Sequence, residues 1–176
     1  MSVNRGKAFE SHIKKAFEKL SDVSIDRLFD PMVGYAGINN ICDFIVYSYP
    51  YQYYIECKTV HGNTLSIHSV PKPDKNGVLH GFYGNITDTQ WEGLAEKATI
   101  YGVVAGVICW WVDKDVTLFL DIRALECLRK SGYKSVRYDN DKWTNLIFPL
   151  TGTKQRVFFD YDMRNFLRTI ENIKKG

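Results

Sequence analysis

Residues 41–60 read Ile41-Cys42-Asp43-Phe44-Ile45-Val46-Tyr47-Ser48-Tyr49-Pro50-Tyr51-Gln52-Tyr53-Tyr54-Ile55-Glu56-Cys57-Lys58-Thr59-Val60. Two runs rich in β-branched and aromatic residues flank Ser48-Tyr49-Pro50-Tyr51. The stretch therefore predicts a strand over Ile41–Tyr49, a hairpin turn, and a second strand over Tyr51–Val60. Side chains alternate along a strand, so Glu56 and Lys58 share one face and Ile55 and Cys57 the other. The apolar flanks place the second strand inside a sheet, where an unpaired carboxylate is expensive. A divalent cation shared with Asp43 on the neighbouring strand removes that expense. The competing reading is an exposed Glu and Lys on an edge strand, and spacing alone does not choose, because Glu-x-Lys recurs by chance.

Upstream, Phe9, Ile13, Ala16, Phe17 and Leu20 form one apolar stripe of a helix from about Arg5 to Lys19. Residues 25–40 read as a short strand and a polar connection. Downstream, residues 61–86 have no sustained period and hold several Pro and Gly residues. They are expected to form a long loop of the kind that is usually functional or disordered. Thr87 opens a helix with the stripe Trp91, Leu94, Ala95 and Ala98, closed by Gly102. Val103–Trp111 and Val116–Leu120 read as strands joined around Asp113-Lys114, and Asp121 caps a helix ending near Lys130. A less regular stretch runs to about Phe159, and a basic helix spans Asp162–Lys174. This order predicts a single α/β domain over residues 1–176, a central mixed β-sheet flanked by helices.

The chain has 176 residues, enough to bury a core without staples, and is 45% hydrophobic and 24% charged. No apolar run approaches the ~20 residues of a membrane helix, and no signal peptide is read at the N-terminus. A cytoplasmic protein is expected. Cys42, Cys57, Cys109 and Cys127 lack paired spacing, so they are expected to be reduced core residues rather than zinc ligands or disulfides. The net charge of +3 is uneven: residues 1–19 carry five Lys/Arg against two acids, and residues 20–120 six against eleven. Basic ends around an acidic middle suit a protein that grips phosphates and holds cations, or simply two solvated helices.

Hard cations such as Mg²⁺ take carboxylate, carbonyl and water oxygens, commonly with one or two carboxylates from the protein. An ammonium beside them orients or helps deprotonate an attacking water and offsets charge developing on a phosphate. Asp43, Glu56 and Lys58 supply those residue types.

The order of a helical Glu10, Asp43, Glu56-x-Lys58 and a helix carrying Gln90 resembles the PD-(D/E)xK nuclease superfamily. Within it, Asn4-Arg5-Gly6-Lys7-Ala8-Phe9-Glu10 is similar to the N-R-G-K-x-x-E opening of RecU-type Holliday junction resolvases, Hjc-type resolvases share the order of elements, and the resemblance is to a phage-type member. The resemblance covers roughly residues 3–130. It implies a restriction-endonuclease-like core and a metal-dependent DNA endonuclease, a resolvase cutting four-way junctions as a homodimer with Mg²⁺ or Mn²⁺. Asp43, Glu56 and the Cys57 backbone carbonyl would hold the metal, Lys58 would be the catalytic lysine, and Glu10 would reach the site directly or through water. Gln90 would contact the outer shell or the scissile phosphate; Arg5 and Lys7 would contact the DNA backbone. The motif proline is absent before Asp43, where Ile41-Cys42 stands. The RecU stalk is also absent ahead of Asp43, and the extra length lies instead at 61–86. A restriction-like or repair nuclease, and a non-catalytic DNA-binding protein of the same fold, are the alternatives.

Each residue also has a plainer role open to it. Glu10 pairs Lys14 at i+4, and Gln90 closes a capping box with Thr87. His61, His68 and His80 have no ligand spacing. The tyrosine run Tyr47, Tyr49, Tyr51, Tyr53 and Tyr54 reads as strand packing or a dimer surface. Lys72 and Lys75 mark a loop that enters DNA or is simply solvated.

Overall fold

Asn4 accepts a hydrogen bond from the Lys7 N–H (3.3 Å) and so caps α1 (Arg5–Glu18), satisfying one of the otherwise unpartnered amides of the first turn. The predicted stripe is its buried face: Phe9, Ile13, Ala16 and Phe17. The computed structural model describes residues 4–28, 40–68, 71–73, 75–82, 84–139 and 145–175, with backbone alone for 71–73 and 79–82. The connection ahead of Asp43 thus lies largely outside the described residues.

An antiparallel meander follows, of β1 (Ser24–Arg27), β2 (Phe44–Ser48) and β3 (Tyr51–Val60). The β2–β3 turn contains a cis Tyr49–Pro50 bond. β2 is shorter than the apolar run predicts. The Asp43 N–H still bonds the Ile55 carbonyl (3.1 Å), but the Cys57 N–H goes to the Asp43 side chain (2.7 Å), so the regular ladder ends at the acidic residue.

Residues 61–86 correct the expectation of a structureless loop. They hold β4 (Thr64–Ser66) and a small hairpin of β5 (Pro71–Pro73) and β6 (Leu79–Phe82). α2 (Asp88–Lys97) then crosses to β7 (Val103–Trp111), which lies parallel to β3 in register from Gln52↔Val103 to Val60↔Trp111. Parallel neighbours require such a crossover. A 3-10 turn at Val112–Lys114 leads to β8 (Val116–Asp121), antiparallel to β7, and Asp121 caps α3 (Ile122–Lys130) by accepting the Arg123 N–H (2.9 Å). The stretch expected to be irregular contains β9 (Ser135–Arg137), which pairs with the distant β4, then β10 (Ile147–Pro149), β11 (Gly152–Lys154) and β12 (Phe159–Tyr161). α4 (Met163–Lys175) follows them.

Among the described residues the central sheet runs β1-β2-β3-β7-β8-β10, antiparallel except at β3–β7. The fold is α/β, with a mixed sheet flanked by helices. α1 and α4 cover one face, on Phe44, Val46, Tyr53, Ile55, Cys57, Ile108 and Phe119. α2 and α3 cover the other, on Val107, Cys109, Trp111, Leu118 and Leu120. All four cysteines are free; Cys42, Cys57 and Cys109 are buried as expected, but Cys127 is exposed, because it falls on the outer side of α3. The basic ends are partly self-neutralised: Lys19 pairs with Asp160 and Arg164 with Asp22, tying the end of α1 to β12 and α4. Among the described residues no helix is long and apolar enough to cross a membrane.

Candidate metal centre

Asp43 just ahead of β2, Glu56 and Lys58 on β3, and Gln90 in the first turn of α2 come together beside the two interior strands β2 and β3. Glu56 is 2% exposed. Its Oε1 accepts from Lys58 Nζ (2.7 Å) and Gln90 Nε2 (2.6 Å). Its Oε2 is buried with no partner. The hydroxyl of Tyr53 and the indole N–H groups of Trp110 and Trp111 are likewise unpartnered, but those are neutral groups, and a desolvated carboxylate is far more expensive.

Asp43 stands opposite Glu56, one step beyond the Phe44↔Ile55 pair, and its Oδ2 takes the Cys57 N–H. Two neighbouring carboxylates are both acceptors and repel, and a proton or a cation between them relieves that. Burial, and then the Asp43 charge, push the Glu56 carboxyl up to about 8, against the pull of Lys58, with Glu10 adding to the rise. Burial also raises Asp43, opposed by the Cys57 amide, Lys58 and Arg27. The Cys57 N–H points at Asp43, and a strand residue's N–H and C=O lie on the same side. The Cys57 carbonyl therefore faces the flank on which Asp43 stands. Two carboxylates and a carbonyl make a hard oxygen set that fits Mg²⁺ or Mn²⁺. Among the described residues no three His, Cys, Asp or Glu side chains are gathered into a complete cage. That is consistent with a site whose remaining ligands are water and phosphate.

Gln90 closes the expected capping box and also reaches the Lys58–Glu56 pair. Its Oε1 accepts from the Thr87 N–H (3.1 Å) and from Lys58 Nζ (3.1 Å), while its N–H is bonded to Thr87 Oγ1 (3.3 Å). One amide closes the capping box and fastens the Lys58–Glu56 pair.

Glu10 does not pair Lys14, which bonds Glu18 instead (2.7 Å). It receives the Arg27 guanidinium at 2.5 Å and is near enough to act on Glu56 and Cys57 through its charge. Arg27 is a residue that pattern reading missed. Its signal was faint: a cation in a short strand, one residue before the segment that hydrogen-bonds Asp43 through the Leu28 N–H (2.8 Å).

The remaining candidates stand further out. Arg5 and Lys7 are exposed at the start of α1, Arg5 close enough to act on Asp113. Lys75 is exposed on the β5–β6 turn, whereas the Lys72 and His80 side chains lie outside the described residues. His61 bonds Asp113 (3.0 Å) and His68 is half-buried. In the tyrosine run Tyr53 is core, while Tyr47 and Tyr49 face outward. A cleft of about 430 Å³ between α1 and the β11–β12 hairpin lies elsewhere, with its Lys19 and Arg164 already ion-paired. The chain matches no protein-family model and no curated protein.

Proposed function

We propose that this protein is a divalent-metal-dependent DNA endonuclease with a restriction-endonuclease-like core. The observation that carries the reading is Glu56 Oε2, a buried carboxylate oxygen without a donor, beside a second carboxyl and within one residue of a lysine. Structural stability gives no reason for that arrangement. The order α1, the β1–β2–β3 meander, α2 and β7 agrees with the core that the motif order implies.

In this reading Asp43, Glu56 and the Cys57 carbonyl hold Mg²⁺ or Mn²⁺. The bound cation supplies Lewis acidity, polarising a phosphoryl oxygen and acidifying water. Lys58, fixed by Glu56 and Gln90, directs its ammonium at the attacking water and offsets charge developing on the phosphate. Gln90 bonds both Lys58 and Glu56 and so holds the pair in place. Arg5, Lys7, Lys72 and Lys75 contact the DNA backbone, which positions the duplex without reading its sequence.

The substrate we propose is a four-way DNA junction cut by a homodimer, since two-fold symmetry sets two sites on two like strands. The β5–β6 hairpin would take the place of the missing stalk. Four-way junction, Y-fork and linear duplex, each incubated with Mg²⁺ and resolved on a gel, test both levels. Paired cuts in the junction are expected. Equal cutting of linear duplex removes the junction reading and leaves the nuclease; no cutting of any substrate in Mg²⁺ or Mn²⁺ overturns both.

A further inference from the structure

We infer that Arg27 is a phosphate-binding residue of this site and that Glu10 is its holder rather than a ligand of the cation. The inference rests on the nuclease reading and specifies which groups meet the scissile strand.

The geometry separates Glu10 from the other two carboxylates. Asp43 and Glu56 lie opposite each other at the end of the β2–β3 register, and Glu56 keeps one oxygen unpartnered. Glu10 instead directs Oε2 at the Arg27 guanidinium, 2.5 Å away. The Glu10 side chain is 18% exposed and that of Arg27 38%, so the guanidinium is the member of the pair more open to solvent. A guanidinium has five N–H donors, and the contact to Glu10 Oε2 is made through Nη2 alone. The fork matches a phosphate, and fixing it in advance reduces the ordering lost on binding.

Position supports the same assignment. Arg27 is paired with Phe44, next to Asp43, and acts on the Asp43 charge. Lys58 approaches the carboxylates from β3 and α2, and Arg27 from β1. Two cations therefore flank the acidic pair from opposite sides. Charge balance agrees: with Glu10 matched to Arg27 and both acids deprotonated on metal binding, Asp43, Glu56 and Lys58 sum to one negative charge. A divalent cation turns this to one positive, which a phosphodiester neutralises. If Glu10 joined the cation instead, Arg27 would be left without its carboxylate partner.

Two measurements test this. Calorimetric titration of the metal-free protein with Mn²⁺ compares Glu10→Gln with Asp43→Asn. Glu10→Gln is expected to hold Mn²⁺ within about threefold of the parent, while Asp43→Asn weakens it by about a hundredfold or more. Equal losses would make Glu10 a ligand and overturn the inference. Anisotropy titration of a short DNA duplex without metal, across a salt series, compares parent, Arg27→Gln and Arg27→Lys. The slope of log affinity against log salt should fall by about one for Arg27→Gln and be kept by Arg27→Lys. Arg27→Lys should nonetheless cleave about tenfold more slowly, because the fork is lost. A role confined to tying α1 to β1 would lower thermal stability and leave the slope unchanged, and that result overturns the inference while the nuclease reading stands. A parent that neither binds nor cuts DNA removes the nuclease reading and the phosphate role with it.

Discussion

β3 and β7 are neighbours in the middle of one sheet, parallel and in register over nine pairs, yet they are built on different terms. Every residue of β7 is buried and apolar or glycine, so both of its faces serve the core. β3 is as central, but opposite Val107 it carries Glu56 and opposite Cys109 it carries Lys58. β7 shows what this position in the sheet demands when packing alone decides. The charges on β3 depart from that demand, and a buried charge pair is weak evidence for stability. On the proposed nuclease reading, the difference marks where the fold gives up stability for chemistry.

The largest expected effect follows on the β3 side. Glu56→Gln or Asp43→Asn should lower Mg²⁺-dependent cleavage by about a thousandfold or more, a barrier increase of ~4 kcal/mol. Both variants should keep the parent's unfolding midpoint or exceed it. Cleavage within about tenfold of the parent for either one would remove the site assignment. On the β7 side the converse holds. A Cβ at Gly106 would meet the Leu120 carbonyl oxygen at 2.5 Å and the Phe119 ring at 2.8 and 2.9 Å. Gly106→Ala should therefore destabilise the protein by about 3 kcal/mol in denaturant unfolding, while β3's own partner at that level, Ile55, is core of the usual kind. An unchanged midpoint would show that β7 tolerates volume and that the contrast with β3 is smaller than drawn.

A pH series sharpens the comparison further. Unfolded, the Glu56 carboxyl releases its proton near 4.5; folded, it keeps it up to about 8. Between those values the native state holds more protons than the unfolded one, so stability is greatest below the lower value and falls as pH rises toward about 8. Asp43, also raised, adds in the same direction. The loss should be on the order of 5 kcal/mol in metal-free protein. Glu56→Gln should remove most of that slope, and Mn²⁺ should restore stability at the alkaline end by binding the native state alone. A metal-free parent whose stability rises from about pH 5 to 8 would contradict the buried, proton-holding carboxyl.

How far the sequence is legible also divides along these lines. β3, β7, the Thr87 cap and the Asp121 cap depend on local pattern and stand where periodicity and capping chemistry place them. β4, β9 and β10 do not, because each is three residues long and exists through a distant partner, so no period-2 signal can build up. The Asp43–Glu56–Lys58 constellation was visible as residue types on adjacent strands. That Glu10 meets Arg27 and not Lys14 was invisible, because it depends on where β1 lies beside α1. Gln90 was legible twice, as a cap and as a site residue, and a primary amide with separate donor and acceptor atoms satisfies both at once.

That double use permits the smallest and most selective test. Thr87→Ala removes the hydroxyl bonded to the Gln90 N–H and should lower stability by about 1 kcal/mol, the usual worth of an N-cap. Gln90→Ala should lose a similar amount, and cleavage should also fall by about tenfold as Lys58 loses one of its anchors. Gln90→Glu separates the two roles. Glu at this position keeps the capping box, since a carboxylate accepts the Thr87 N–H as the amide oxygen does. At the site it replaces the Nε2 donor, now 2.6 Å from Glu56 Oε1, with a third negative oxygen. Helix stability should therefore hold in an unfolding titration at low pH, while cleavage at neutral pH falls below that of Gln90→Ala. If Gln90→Glu instead cleaves as well as the parent, Gln90 belongs to the cap alone. The β3 charges would then be held without help from α2.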